Sequence, residues 1–167
     1  MHHGENSSKP HAVPTDRKIE EKDIITIDMG CKINGYCSDM TRTIFIGEPT
    51  VEQIKIYNLV LQNQKKALDQ IRDGANIKTI VKSVESEFNL YNQTLIHSLG
   101  HGVGLNIHEG PAISLKNDAL LKENMVITDE PGIYIPGNFG VRIEDTVLVT
   151  KKGAISLTES DKECIIL

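Results

Sequence analysis

The stretch from His97 to Asp145 constrains this chain more than any other. It reads HSLGHGVGLNIHEGP and then, after a short gap, TDEPGIYIPGNFGVRIED. Its 49 residues hold three histidines (His97, His101, His108), two glutamates flanked by strand-type residues (Glu130, Glu144), and Arg142. Glycines at 100, 102 and 104 exclude a regular helix, because Gly in a helix interior costs about 1 kcal/mol relative to Ala. His97 and His101, although four apart, are therefore not the helical histidine pair of an HExxH zinc site. Strand and loop geometry has to bring these groups together.

The surrounding chain is ordinary enough to support such a site. At 167 residues it is long enough for one domain with a real core. A hydrophobic content of 39% and a charged content of 25% describe a soluble globular protein. The net charge of −5, with no clustered basic run, argues against a nucleic-acid or anionic-membrane surface. No apolar stretch approaches the roughly 20 residues of a membrane helix, and MHHGENSSKP lacks the apolar core of a signal peptide. Cys31, Cys37 and Cys164 have no zinc-ribbon spacing, and reduced thiols of a cytoplasmic protein account for them.

Residues 1–22, punctuated by Pro10 and Pro14, read as loop or edge strand. Met1-His2-His3 reads as an incidental terminus without metal binding. His11 stands just before the first ordered strand, where solvation is the plain alternative to a role. Asp23–Gly30 alternates apolar and polar side chains as a strand. Asn34-Gly35 predicts a type I′ hairpin turn, and Tyr36–Ile46 is the return strand. If Ile33 pairs with Tyr36, then Asp28 faces Thr41, and Asp28 and Asp39 become diagonal neighbours roughly 7–8 Å apart on one face. Cys31 and Cys37 then fall on opposite faces. The residues alone leave two readings of these aspartates open, an exposed face or a metal pair.

Thr50 and Gln53 have capping-box spacing at the start of a helix, with Ile54, Tyr57, Leu61, Leu68 and Ile71 as its apolar stripe and Gly74 ending it. Asn76 caps a second helix carrying Ile77, Ile80, Val81, Val84 and Phe88 on one face. Met125–Thr128 and Val141–Thr150 read as strands joined through the turn at 136–140, with Arg142 and Glu144 sharing a face. Ile155–Leu167 reads as a last strand. This order predicts an α+β domain with two helices on one face of a curved antiparallel sheet.

Asp28, Asp39, His101, Glu130 and Glu144 are the candidate ligands. Four converging carboxylates without cations repel one another, and their pKa values rise. Two divalent ions relieve that repulsion and can activate water and polarise a carbonyl. Oxygen-rich ligands with one imidazole suit Mn²⁺, or Co²⁺ and Zn²⁺ less selectively.

IDMGCKINGYCSDMTRTI, HSLGHGVGLNIHEGP, TDEPGIYIP and GVRIED together resemble the pita-bread metallopeptidases, the family of Xaa-Pro dipeptidase, aminopeptidase P and methionine aminopeptidase. The resemblance runs from about Gly4 to the C-terminus. It implies that Asp28 chelates one metal, that Asp39 and Glu144 bridge both, and that His101 and Glu130 complete the second. It makes Glu130 the general base as well, and His108 a hydrogen-bond donor to the scissile carbonyl. His11 and His97 match pocket histidines, and Arg142 matches an arginine that organises the bridging carboxylates.

Within the family the proline-specific branch is the nearest match, because HSLGH supplies His97 and VRIED supplies Arg142. The implied substrate is a peptide with proline second, and the implied full-length state is a homodimer. A methionine aminopeptidase is one alternative; a non-catalytic binding module of the same fold is another, opposed by the five filled ligand positions. Asp129 stands where the family usually has an apolar residue, and strand alternation points its side chain away from the metals. Family members also carry a helix pair ahead of the segment matched here. Residues 1–167 therefore read as a single catalytic domain truncated at its N-terminus. The strands bearing Ile24, Ile25, Ile27, Ile44, Phe45 and Ile46 are then expected to be left partly uncovered and prone to self-association.

Overall fold

The computed structural model describes residues 1–167. Two sheets and two helices are built in the expected α+β order. The first sheet takes β1 (His2–His3), β2 (Ile24–Met29), β5 (Met40–Phe45) and β13 (Ile165–Ile166), in that spatial order. Between β2 and β5 runs the small hairpin of β3 (Lys32–Ile33) and β4 (Tyr36–Cys37). Its turn residues Asn34 and Gly35 have φ of 51° and 88°, the positive values that a type I′ turn demands. Ile33 pairs with Tyr36 and Asp28 with Thr41, so the register is the one read from the sequence. All three cysteines are free.

Helix α1 (Val51–Leu68) begins at a complete capping box between Thr50 and Gln53, and α2 (Ile77–Leu90) begins where Asn76 accepts from the Thr79 amide. The whole predicted stripe of α2 is buried. That of α1 is rotated from the prediction: Ile56, Tyr57, Val60, Gln64 and Ala67 face inward, while Ile54 and Leu68 are only partly buried. Gln64 turns inward because it donates to the buried Asp145, a partner that apolar periodicity does not register. The helix ends at Leu68 rather than at Gly74, which instead takes a φ of 76° in the connection to α2.

The second sheet holds β12 (Ala154–Ser156), β11 (Asp145–Val149), β8 (Val126–Asp129), β6 (Gly100–Gly102) and β7 (Glu109–Ile113), in that spatial order. A hairpin of β9 (Gly132–Ile135) and β10 (Phe139–Arg142) leads into β11. This corrects the expected strand order. The turn at 136–138 joins β9 to β10, and β8 pairs instead with β11, Asp129 opposite Asp145. The single strand expected over Val141–Thr150 is interrupted at Ile143 and Glu144, where the chain crosses from the hairpin into the second sheet. The tail likewise forms two short strands rather than one, and the second of them pairs parallel with β5.

Helix α1 packs on β8, β9 and β10, and α2 packs on α1 and β7. Tyr57 of α1 meets Phe45 of β5 with ring centroids 5.4 Å apart, a tilted aromatic pair inside the core. The first sheet is better filled than expected. His2 and His3 are not incidental: they pair with Thr26 and Ile25, and His3 Nδ1 lies 3.3 Å from Asp23. Most of the β2–β5 apolar set is covered within the chain: Ile24, Ile25, Ile44 and Phe45 are buried, while Ile27 and Ile46 are only partly so. The short helical turn Gly4–Ser8 and strand β10 pack against β2, and β1 and β13 flank it and β5.

Candidate metal centre

The two sheets meet along a seam, and the candidate ligands stand on it. Thr41 of β5 and Glu144 form a single bridge between the sheets, with the Glu144 amide donating to the Thr41 carbonyl at 3.0 Å. The Thr41 hydroxyl donates to Glu144 Oε2 at 2.6 Å. Thr146 of β11 reaches back and donates to the Asp39 carbonyl at 2.6 Å. A threonine of the opposite strand thus braces the Glu144 carboxylate directly and the Asp39 backbone beside its carboxylate.

His101 enters from β6. Glycines 100 and 102 flank it because a Cβ at either position would run into the carbonyl of Thr128 or Gly110 on the neighbouring strands. His101 Nδ1 lies 3.0 Å from the Gly102 carbonyl, which can only accept, so Nδ1 carries the proton. Nε2 is left with its lone pair toward Glu130 Oε1 at 3.3 Å and Asp39 Oδ2 at 3.6 Å. A ring nitrogen tied to a backbone carbonyl with the other nitrogen free is the usual arrangement of a metal-ligating histidine. Asp39, His101 and Glu144 present ligand atoms all within 4.8 Å of one another.

The electrostatics are those of buried carboxyl groups converging on one another. Burial, opposed only in part by Arg142, pushes Glu130 up to about 7. Burial and the neighbouring charges of Glu130 and Asp39 push Glu144 up to about 9. Asp39 is raised by burial and by Asp28. These groups suit divalent ions, which would replace the shared protons and end the mutual repulsion.

Asp28 stands apart from this group. It lies on the expected face of its strand, but its carboxylate is taken by Arg142, whose Nη2 donates to Oδ2 at 2.5 Å. Arg142 is buried, and Tyr134, Asp28 and Glu144 outweigh the cost of burial and keep it charged. Its Nη1 donates to the Tyr134 hydroxyl at 2.9 Å, which lies 3.0 Å from His97 Nε2. His97 Nδ1 faces the Ser98 carbonyl at 2.7 Å, so Nδ1 is the protonated nitrogen and Nε2 accepts from Tyr134. Burial lowers the His97 pKa and keeps the ring neutral.

Tyr134 is the member of this network that the sequence reading missed. In the β9–β10 register Tyr134 opposes Gly140, and Arg142 opposes Gly132. Two glycine partners leave room for the ring, and Tyr134 becomes the diagonal neighbour of Arg142 on one face. Recognising that hairpin would have supplied the signal.

A cavity of about 250 Å³ opens over the cluster, lined by Pro10, His11, His97, Ser98, His101, His108, Glu130 and Arg142 among others. His108 stacks edge-on to His101 with centroids 4.4 Å apart, and His11 is exposed at the rim. Asp129 points away from the cluster as alternation requires. It is fully buried with neither oxygen partnered, and burial raises its pKa well above the usual carboxylate range.

Comparison with known proteins gives a consistent result. The model of metallopeptidase family M24 matches residues 1–151. The Xaa-Pro dipeptidase of Pyrococcus furiosus is 48% identical over 165 residues, covering 97% of this chain and 47% of that relative. A prolidase structure from Thermococcus sibiricus superposes with a TM-score of 0.96 at 41% identity, over 99% of this chain and 46% of the other. An X-Pro aminopeptidase structure from Thermotoga maritima gives 0.95 at 38% identity, over 99% and 48%. The chain thus has the pita-bread fold of the prolidases and spans about half the length of the relatives it matches.

Proposed function

The chain belongs to metallopeptidase family M24, and we propose that it is the catalytic part of an enzyme hydrolysing the Xaa-Pro bond at the N-terminus of peptides. The observation that carries this reading is the seam cluster: His101, anchored through Nδ1 to the Gly102 carbonyl, turns its Nε2 toward buried carboxylates, of which Glu130 and Glu144 have raised pKa values. Asp28, Asp39, His101, Glu130 and Glu144 would hold two divalent ions, Mn²⁺ first, with Co²⁺ or Zn²⁺ as substitutes. Such a pair supplies Lewis acidity and activates water when bound.

The protein's own groups do the rest. Glu130, facing the cavity beside His101, would act as the general base that takes the proton of the attacking water and returns it to the leaving amine. His108, on the cavity side of His101, would donate to the scissile carbonyl. His97, kept neutral by burial and oriented by Tyr134 and the Ser98 carbonyl, and His11 would form the walls against the proline ring. Arg142 fixes Asp28 and, through Tyr134, fixes His97. The names of the matched relatives favour the prolyl branch over methionine release, and the filled ligand positions oppose a non-catalytic module.

We place the enzyme in the cytoplasm, without nucleic-acid or membrane partners, as a homodimer in its full-length form. The free thiols and the net charge of −5 support this, and no helix is long and apolar enough to cross a membrane. The test is hydrolysis by the full-length protein with added Mn²⁺. Ala-Pro peptides should be cleaved and Met-Ala peptides left largely intact; equal or faster methionine release would reverse the assignment.

A further inference from the structure

His101 stands at a break in its own ladder. Strand β6 meets β7 with Gly100 opposite Ile113 and Gly102 opposite Glu109, so the register shifts across His101. Toward β8 only Gly102 is paired, with Ile127. The His101 amide, left without a strand partner, donates instead to the Thr128 hydroxyl at 3.0 Å. A hydroxyl carries one proton, and Thr128 gives it to Glu130 Oε1 at 3.0 Å. That same oxygen lies 3.3 Å from His101 Nε2. Thr128 is fully buried, and Gly100 permits the close approach. A Cβ there would stand 2.0 Å from the Thr128 carbonyl oxygen and 3.0 Å from its hydroxyl. The Glu130 amide closes the patch by donating to the Leu99 carbonyl at 2.8 Å.

We infer that Thr128 is a positioning residue: its one hydroxyl ties the backbone of His101 to the carboxylate of Glu130 and so sets the His101–Glu130 half of the metal site. This rests on the two-ion reading above. The other carboxylates have their own braces, Asp28 in the Arg142 guanidinium and Glu144 in the Thr41 hydroxyl. Glu130 takes its side-chain hydrogen bond from Thr128 alone. Without that hydroxyl the Glu130 carboxylate is free to turn, and the His101 amide loses the partner that stands in for the ladder. Both faults fall on the ion that His101 and Glu130 would share. Groups that orient a metal ligand from behind typically matter by about ten- to a hundredfold in metal affinity.

The experiment titrates Mn²⁺ into metal-free full-length protein by calorimetry, in the native form and as Thr128→Val, Thr128→Ala and Thr128→Ser. Metal-free thermal unfolding and Ala-Pro hydrolysis are measured alongside. Thr128→Val and Thr128→Ala should weaken one of the two ions by about ten- to a hundredfold and leave the other near its native affinity. The kcat should fall with the occupancy of that ion. The KM for Ala-Pro should stay within about twofold, because His11 and His97 are untouched. Thr128→Ser keeps the hydroxyl and should recover most of the lost affinity and turnover. Serine and alanine differ by that hydroxyl alone, so their comparison decides the matter even where the valine variant does not fold. Native-like binding of both ions in Thr128→Ala, equal weakening of both, or a serine defect as deep as that of alanine would overturn the inference. A lowered unfolding temperature with unchanged metal binding would do the same, since it would make the residue structural only. Failure of the native protein to bind Mn²⁺ would overturn the metal reading beneath it.

Discussion

Glu144 and Asp145 are consecutive, both buried, and electrostatically opposite. Asp145 faces the back of the seam, where its four acceptor positions are filled by Arg42, Thr158, Gln64 and Lys162. Burial alone would raise its pKa, but Lys162, Thr158 and Arg42 outweigh it and hold the carboxylate below its usual value. Arg42 is equally satisfied, with its other donors on the Thr41, Glu144, Ser160 and Asp161 carbonyls. Glu144 faces the front, where it meets Asp39, Glu130 and His101 and its pKa climbs to about 9. A buried carboxylate kept for structure carries its cations within the protein. Glu144 has no such cation within the protein, and its convergence with Asp39, Glu130 and His101 suits it to one from solution.

The largest effect should come from breaking the back cluster. Asp145→Asn leaves Arg42 and Lys162 buried without their counter-charge, and should cost about 3–5 kcal/mol in denaturant unfolding. The same conversion one residue earlier should do little to metal-free stability. Glu144 is mostly protonated at neutral pH, and glutamine mimics that form, so Glu144→Gln should stay within about 0.5 kcal/mol while abolishing stabilisation by Mn²⁺.

Titration sharpens the contrast. A carboxyl whose folded pKa is raised favours folding below its unfolded value and loses that contribution as pH rises through the folded value. Metal-free protein should therefore weaken from about pH 4.5 upward, through the values of about 7 for Glu130 and about 9 for Glu144. Mn²⁺ affinity should rise over the upper part of that window, because binding displaces those protons. Calorimetry in buffers of different ionisation enthalpy measures the protons released. A local effect, without consequence for metal binding, is expected at Tyr134→Phe, which removes one hydroxyl between Arg142 and His97. It should cost about 1 kcal/mol in stability and leave metal stoichiometry unchanged.

How much of this could be read beforehand follows the range of the interactions. The hairpin register that puts Asp28 and Asp39 on one face followed from two residues, Asn34 and Gly35, because a type I′ turn fixes pairing locally. The helix caps at Thr50 and Asn76 were equally local. The β9–β10 hairpin was hidden because Gly132–Ile135 follows Pro131 at once and shows no alternation long enough to mark a strand. Tyr134 went unnoticed with it. The back cluster joins residues 42, 64, 145, 158 and 162, which no periodicity brings together. The front cluster was legible through its residue types and its resemblance to a family, but not the pairing of Asp28 with Arg142, which depends on the crossing of the two sheets.

The central claim is that the front cluster is a site for two divalent ions, and metal titration of the full-length protein tests it most directly. Mn²⁺ added to chelator-treated protein, followed by calorimetry and by metal analysis after desalting, should give two ions per chain with proton uptake by the buffer, falling to one or none in Glu144→Gln. Saturation with no bound metal, or a stoichiometry that Glu144→Gln leaves unchanged, would contradict the account.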